Sequence, residues 1–387
     1  MTSRRANHRL FLTSAAALIV WLAFGGPATT PAADPPGDYL QVTGPCGLSF
    51  PRDHGPHPGF RTEWWYYTGN LEAENGRRFG FQLTFFRHQL SPLKVPDDRP
   101  EPQSAWRTHQ VYLAHAAVAD LSGRRHLQSG RASREALGMA GAVPEENGVT
   151  VFVGDWNAAI LPGLHRLAAA SHAFALQLDL VPAKDPVRHG IQGYSRKGSA
   201  PERASCYYSM TRLDAAGTLR LENQPPMAVE GSAWMDHEFS TAPLEPGTVG
   251  WDWFGIQLDD RSELMMFLLR REQGDIHPIS SGTYVDPQGV AHHLERGHFA
   301  VEVLDTWKSG RSGAVYPSKW KVKVPPAGID IVVTPNLPDQ EMHLDDVSGI
   351  TYWEGSVAAR GTKGKAGVEG LGYVELTGYA GPFGALK

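Results

Sequence analysis

Cysteine is almost absent. Only Cys46 and Cys206 occur among 387 residues, and no Cys-x-x-Cys pair exists, so a zinc ribbon and a dithiol redox motif are both excluded. Two cysteines are too few for a disulfide scaffold: they either pair, tying the start of the chain to a later strand, or remain two buried thiols. Basic charge is also scarce, with 36 Lys and Arg against 41 Asp and Glu and a formal net charge of −5. Such a surface is a poor match to phosphate backbones, and no nucleic-acid partner is expected. There is no Gly-x-Ser-x-Gly, no phosphate-cradling glycine loop and no dinucleotide fingerprint, and no cofactor is expected. His237-Glu238 opens like a zinc-protease motif, but its fifth position is Thr241, so no metal site is expected. Beyond residue 24 no apolar run is long enough to span a membrane as a helix.

What the chain has in quantity is turn formers and rings. It carries 42 Gly, 29 Pro and 10% aromatic residues without long Ala/Leu/Glu/Lys blocks, which favours many short strands over helices. At 41% apolar it supports one large or two ordinary domains. Arg4, Arg5, His8 and Arg9 precede an apolar run over 10–24 and a small-residue tail, the pattern of a secretory signal over 1–33. Ser3-Arg4-Arg5 keeps twin-arginine export open beside the general route; an uncleaved anchor is the alternative. Removing 1–33 takes three arginines and no acid, moving the formal charge from −5 to −8. The expected location is periplasmic or secreted, near a membrane but not spanning it after signal removal. Residues 34–58, rich in Pro, Gly and Asp, read as a leader loop.

The densest stretch is Glu63-Trp64-Trp65-Tyr66-Tyr67, closing on Gly69-Asn70, which reads as a turn. A polar turn at Asn75-Gly76 follows, then the apolar strand Phe79-Gly80-Phe81-Gln82-Leu83-Thr84-Phe85-Phe86-Arg87. A surface strand has no use for so many rings, each worth about 2–3 kcal/mol when buried. The hairpin is either the keystone of a core or the wall of an apolar pocket. Trp251-Asp252-Trp253-Phe254-Gly255 echoes it, leading through Asp259-Asp260-Arg261 to an apolar strand closing on Arg270. Further strands are expected at 149–156, 167–181, 204–213, 218–222 and 227–235, with a short helix at 131–141. Two Trp-led meanders in tandem imply two antiparallel β-barrels, over 59–240 and 241–387.

Candidate chemistry gathers at Trp234-Met235-Asp236-His237-Glu238-Phe239. On a strand, Asp236 and Glu238 point one way and His237 and Phe239 the other. Asp236 and His237 read as an acid and its orienting partner facing a cavity, or as a polar joint between domains. Glu63 beside Trp64 is either an acid raised by an apolar wall or the salt partner of Arg61 or Arg87. His115 lies on an apolar strand face, as core or as ligand contact. Arg87, like Arg270, ends an apolar strand. Trp64, Tyr66, Trp234, Trp251 and Trp253 serve as core rings or as cavity walls.

At these motifs the sequence resembles the AttH/carotenoid 1,2-hydratase (CrtC-type) family. The resemblance rests on Phe60 to Leu71, Phe81 to Arg87, Ser232 to Ser240, Gly250 to Phe254, Tyr352-Trp353-Glu354-Gly355 and Gly372 to Tyr379. It implies an all-β fold of two tandem lipocalin-like (calycin-type) barrels. It also implies an apolar isoprenoid or acyl ligand and either of two roles. One is a cofactor-free hydratase, a hydro-lyase adding water to an isoprenoid C=C; the other is a non-catalytic lipid-binding accessory of an ABC-type export system. For hydration the catalytic set would be Asp236, His237 and Glu63, with Trp64, Tyr66, Arg87, His115, Trp234, Trp251 and Trp253 holding the ligand. The family's hydratases use an acid on a strand after the His-containing motif; the strand over 264–269 carries none, leaving Asp236 or Asp252. Convergence of Glu63, Trp64, Arg87, Asp236 and His237 on one cavity is the geometric expectation.

Overall fold

A computed structural model of the protein describes residues 39–92, 104–242, 244–344 and 347–381. The signal expected over 1–33 lies outside the described residues, as do 34–38 of the leader. Among the described residues no helix is long and apolar enough to cross a membrane.

The first sheet opens with a four-strand meander: β1 (Thr62–Ala73), β2 (Arg78–Gln89), β3 (Gln110–Asp120) and β4 (Arg125–Arg134). It continues through β5 (Ala140–Glu145), β6 (Gly148–Val153), β7 (Trp156–Leu161), β8 (Leu164–Ala170) and β9 (Phe174–Pro182). The short β10 (Val187–Arg188) and β11 (Tyr194–Arg196) precede the long β12 (Ala204–Leu221) and β13 (Met227–Ser240). The second sheet repeats the plan with β14 (Thr248–Leu258), β15 (Glu263–Arg271), β16 (Ser281–Val285) and β17 (Ala291–Leu294). It returns through β18 (Ala300–Lys308), β19 (Val315–Val324), β20 (Ile329–Pro335), β21 (Glu341–His343), β22 (Thr351–Lys363) and β23 (Ala366–Leu376).

Strand order makes the duplication explicit. The first sheet runs β4-β3-β2-β1-β13-β12-β9-β8-β7-β6-β5 and the second β17-β16-β15-β14-β23-β22-β20-β19-β18. In both, the last strand comes back to pair with the first, and the seam falls between the fourth and fifth. Each sheet is therefore a nearly closed antiparallel barrel, a form that removes most of the exposed edge. The interiors are filled by side chains: Trp65, Tyr67, Phe81, Phe85 and Trp156 in the first, and Phe254, Trp320, Val322 and Trp353 in the second.

Several elements differ from the sequence expectation. Residues 131–141 form no helix: Arg131 to Arg134 end β4, and Leu137 and Gly138 take positive φ (54° and 68°) in the turn before β5. The tight turn into a neighbouring strand overrides the local helical pattern. The run 167–181 is split by a turn at Ser171, whereas 204–213 and 218–222 join in one strand with a register shift between Met210 and Leu213. Gly69-Asn70 is mid-strand, not a turn. A Cβ at Gly69 would lie 2.7 Å from the Ser232 carbonyl, so the close pairing of β1 with β13 demands glycine there. Asn70 instead reaches the second barrel, donating to the Gly372 carbonyl at 3.2 Å.

Other ties join the barrels. Gln257 donates to the carbonyls of Thr211 (2.8 Å) and Ala233 (2.9 Å), and buried Glu263 accepts from Lys184 (2.8 Å) and Arg212 (2.7 Å). Of the leader, residues 39–58 pack on the first barrel. A 3-10 turn at Arg52–His54 places the His54 carbonyl 3.0 Å from the Trp65 indole nitrogen.

The open question of the two thiols resolves as a Cys46–Cys206 disulfide spanning 160 residues of sequence, from leader to β12. Cross-linking so distant a pair restricts the unfolded chain, and Cys206→Ser is expected to cost about 2–5 kcal/mol. Equilibrium denaturation with and without reductant checks this: reductant should lower the wild-type midpoint and leave that of the variant unmoved.

Candidate active site between the barrels

Strand alternation sorts the aromatic hairpin onto two faces. On β1, Trp65 and Tyr67 enter the first barrel's core, while Trp64 and Tyr66 turn outward to the second barrel. On β13 the neighbouring register pairs Trp65 with His237 and Tyr66 with Asp236. The outward faces of β1 and β13 therefore present Trp64, Tyr66, Trp234, Asp236 and Glu238. Opposite them stand Trp251 and Trp253 of β14, Phe267 and Leu269 of β15, Tyr352 and Glu354 of β22, and Glu375 of β23. Together they enclose a cleft of about 470 Å³, within the range of small-molecule sites.

Buried Asp236, Glu238 and Glu354 and half-buried Glu375 face this aromatic cleft. Asp236 accepts from the Tyr207 hydroxyl (2.7 Å), the Trp234 indole (2.6 Å) and the Ser209 hydroxyl. Tyr207 in turn accepts from the Trp253 indole at 3.0 Å. Burial pushes the Asp236 carboxyl up to about 7, held back by those three donors. Glu375 pairs in register with Glu354, so the two side chains lie side by side on one face. Burial likewise raises Glu375 to about 7, while the Trp251 indole, 3.2 Å from Oε2, stabilises its charge.

Glu354 is the exceptional group. It is buried, and although neither oxygen meets full hydrogen-bond geometry among the described residues, the hydroxyls of Tyr66 and Tyr352 lie close enough to favour its charged form. Burial, then the neighbouring Glu375 charge, raise its pKa well above the ordinary carboxylate value, which favours its protonated form. Uncompensated buried acids are costly, and their usual context is function. His115 also lines the cleft: Nδ1 meets the Tyr352 hydroxyl at 3.1 Å, while Nε2 has no partner in hydrogen-bonding geometry among the described residues. Burial holds His115 neutral, its pKa pushed down to about 3. Glu238 is bridged at 3.1 Å by Lys197, whose ammonium sits over the Phe267 ring.

The expected five-residue convergence is incomplete: Glu63, Trp64, Arg87 and Asp236 border the cleft, and His237 does not. Glu63, Arg87 and His237 project into the first barrel, away from Asp236 and Trp64, because residues one apart on a strand face opposite ways. There Glu63 Oε1 meets His57 Nδ1 (2.7 Å) and His237 Nε2 (2.8 Å), and Oε2 meets Arg87 Nε (2.8 Å). His57, Glu63 and His237 thus bring three potential ligand atoms within 4.8 Å, each already hydrogen-bonded. His237 Nδ1 continues to Tyr208 (2.9 Å), and Tyr208 to His54 (2.7 Å). Arg87 also holds the His57 and Phe60 carbonyls, at 2.8 and 2.9 Å. This network pins the leader to the barrel end. Of the predicted residues, Asp236, Trp64, Tyr66, His115, Trp251 and Trp253 line the cleft, Glu63 and Arg87 border it with their side chains engaged in the network, and Trp234 orients Asp236. Glu354 and Glu375 were not singled out as site residues. Their signal was an acid on an otherwise apolar strand, in Trp353-Glu354-Gly355 and Val374-Glu375-Leu376.

Comparison with known proteins agrees with this architecture. Residues 41–379 match the family described as AttH-like. The protein belongs to the AttH-like family. A crystal structure of a putative AttH from Nitrosomonas europaea is 31% identical, covering 88% of this chain and 99% of its own, with a TM-score of 0.76. Kievitone hydratase from Nectria haematococca shares the fold at 15% identity, covering 89% and 98%, with a TM-score of 0.64. No curated protein matches the sequence. The AttH-like fold is thus common to this chain and to a hydratase.

Proposed function

We propose that this AttH-like protein is a cofactor-free hydratase of the hydro-lyase type, adding water across a C=C of an apolar, isoprenoid-like substrate held between the barrels. The observation that carries the reading is Glu354, a buried acid facing an aromatic cleft with no counter-charge among the described residues. Hydration of an unactivated alkene needs a proton delivered to carbon, a surface that stabilises the resulting tertiary cation, and a base for the attacking water. Glu354 supplies the proton. The faces of Trp64, Tyr66, Trp251 and Trp253 offer π density to the cation. Asp236 takes the proton from water, since its three donors favour the charged form and its pKa of about 7 leaves that form well populated. Glu375 carries the second charge beside Glu354 and returns a proton to it from the cleft mouth. The N-terminal signal pattern supports a site of action outside the cytoplasm, close to the membrane where such substrates dissolve.

Labelled water tests the reaction. Incubation of the purified protein with an acyclic isoprenoid in H₂¹⁸O is expected to yield a tertiary alcohol carrying one ¹⁸O. An unlabelled substrate recovered intact overturns the hydratase reading. If an apolar fluorophore is nonetheless displaced from the cleft by that substrate, the lipid-binding accessory role takes its place.

A further inference from the structure

Behind Asp236 lies a line of buried polar groups that the reaction as drawn does not use. The Ser209 hydroxyl that donates to Asp236 Oδ1 lies 2.6 Å from His189 Nε2. The other ring nitrogen, Nδ1, lies 2.8 Å from the Thr283 hydroxyl on β16. All four groups are shielded from solvent: His189 is 1% exposed, Ser209 0%, Thr283 2% and Asp236 4%. The chain of contacts crosses from the first barrel to the second. Neither His189 nor Thr283 itself lines the separate cavity of about 340 Å³ nearby, but Gly190, which follows His189, and His293, the cross-strand partner of Thr283, do.

A buried, fully connected hydrogen-bonded line between an ionisable group and a second cavity is more than packing requires. Residues of the same shape without polar atoms would fill that volume at no desolvation cost. Every link can both give and take a proton. The hydroxyls of Ser209 and Thr283 are donor and acceptor at once, and a neutral imidazole has one nitrogen of each kind. His189 is held neutral because burial, then Lys197 and His293, drive its pKa well below the usual value. A neutral imidazole passes a proton by accepting at one nitrogen and releasing at the other.

We propose that Ser209, His189 and Thr283 form a proton relay connecting Asp236 to the second cavity, so that Asp236 exchanges protons with solvent while an apolar substrate fills the main cleft. The proposal rests on the reading of the cleft as a hydratase site. In that reaction Asp236 gains a proton from water at each turnover and must lose it again. The Asp236 O–H bond breaks as a new O–H forms on Ser209, and the Ser209 hydrogen passes to His189 Nε2. The hydrogen on Nδ1 moves to Thr283, whose own hydrogen leaves to water in the second cavity. One proton leaves, each atom keeps its valence, and no oxidant or reductant is involved. The pass leaves the ring hydrogen on Nε2 and Ser209 donating to the Asp236 carboxylate, so the imidazole must return to its Nδ1–H tautomer before the next outward pass. His189 is on this account a relay residue, touching neither substrate nor the reacting carbon.

Infrared spectroscopy after a pH jump reads the relay without relying on turnover. The full mature chain is loaded with dodecane to fill the cleft, and the carboxyl band absent from Asp236→Asn is followed in time. His189→Gln and Thr283→Val are each expected to slow protonation of Asp236 about tenfold or more while leaving its end-point titration unchanged. An unchanged rate in both variants, with circular dichroism showing native folds, overturns the relay. In the hydration assay, His189→Gln should complete a first turnover at the wild-type rate and then slow, with added imidazole restoring later turnovers. A wild type that forms no alcohol while the infrared rates still fall in the variants removes the hydratase reading and leaves the relay. Normal hydration with unchanged infrared rates removes the relay alone.

Discussion

Glu354→Gln is expected to lower the hydration rate by about a thousandfold, the usual contribution of a positioned general acid, without loss of the fold. Glutamine keeps the shape of the side chain but has no acidic proton. Stability should hold or rise, because the native carboxyl is buried without a counter-charge beside the charge of Glu375. An ordinary core residue would behave in the opposite way, losing stability with little effect on chemistry. Rate and thermal midpoint measured on the same preparation separate these. If Glu354→Gln retains wild-type turnover, Glu354 is not the acid.

The pH profile follows from the same groups. Burial and the Glu375 charge raise Glu354, so it keeps its proton above the pH at which an ordinary carboxyl loses it. Asp236, at about 7, must be ionised to accept the proton of water, so the rate should climb with pH to a plateau above about 7. Since Glu375 also titrates near 7, the observed value belongs to the group as a whole. Stability runs the other way. A carboxyl raised in the folded state holds its proton more tightly there, so its contribution is complete below about pH 4 and is lost as pH rises through 7. Denaturation from pH 4 to 8 should show a loss on the order of a few kcal/mol that is reduced in Asp236→Asn.

Arg87→Met is expected to be the most destabilising single change in the first barrel, costing about 3–5 kcal/mol. It leaves the Glu63 carboxylate buried without its counter-charge. It also frees the His57 and Phe60 carbonyls that Arg87 holds, loosening the leader. Because this cluster lies on the barrel side of β1, binding of an apolar probe by the surviving folded fraction should stay near the wild-type level. The double variant Glu63→Gln with Arg87→Met should recover part of the loss, since a neutral amide needs no counter-ion. Denaturant midpoints of the three variants check the order. Burial alone would raise Glu63, but the hydrogen bonds from His237 and His57, with the Arg87 charge, leave its pKa well below the ordinary value. The sign is therefore opposite to that of Asp236. Stability from Glu63 is present above about pH 4.5 and is lost as acid protonates the folded carboxylate. Buried His237, with its pKa lowered chiefly by burial, adds to the acid side.

The sequence by itself determined the class of fold. Ring-rich strands with period-two burial, closed by Asn-Gly and Asp-Asp turns, admit little but antiparallel sheet. The Trp-led stretch repeated at Trp251 foretold that the sheet is built twice. Alternation along β13 also foretold that Asp236 and His237 face opposite ways. Tertiary structure alone decided which face is the site. A strand has two sides, and nothing local tells whether the partner of Tyr66 is the strand's own barrel or a second one. Placing the second barrel against the outer face of β1 makes Trp64, Tyr66 and Asp236 walls of a cleft and leaves Glu63, Arg87 and His237 as a bracing network inside. The same docking brings Glu354, from residues almost 300 positions after Glu63, opposite Asp236. The reactivity assigned to Glu354 comes from being buried without a counter-charge. That is a property of everything around the residue, and no window of sequence contains it.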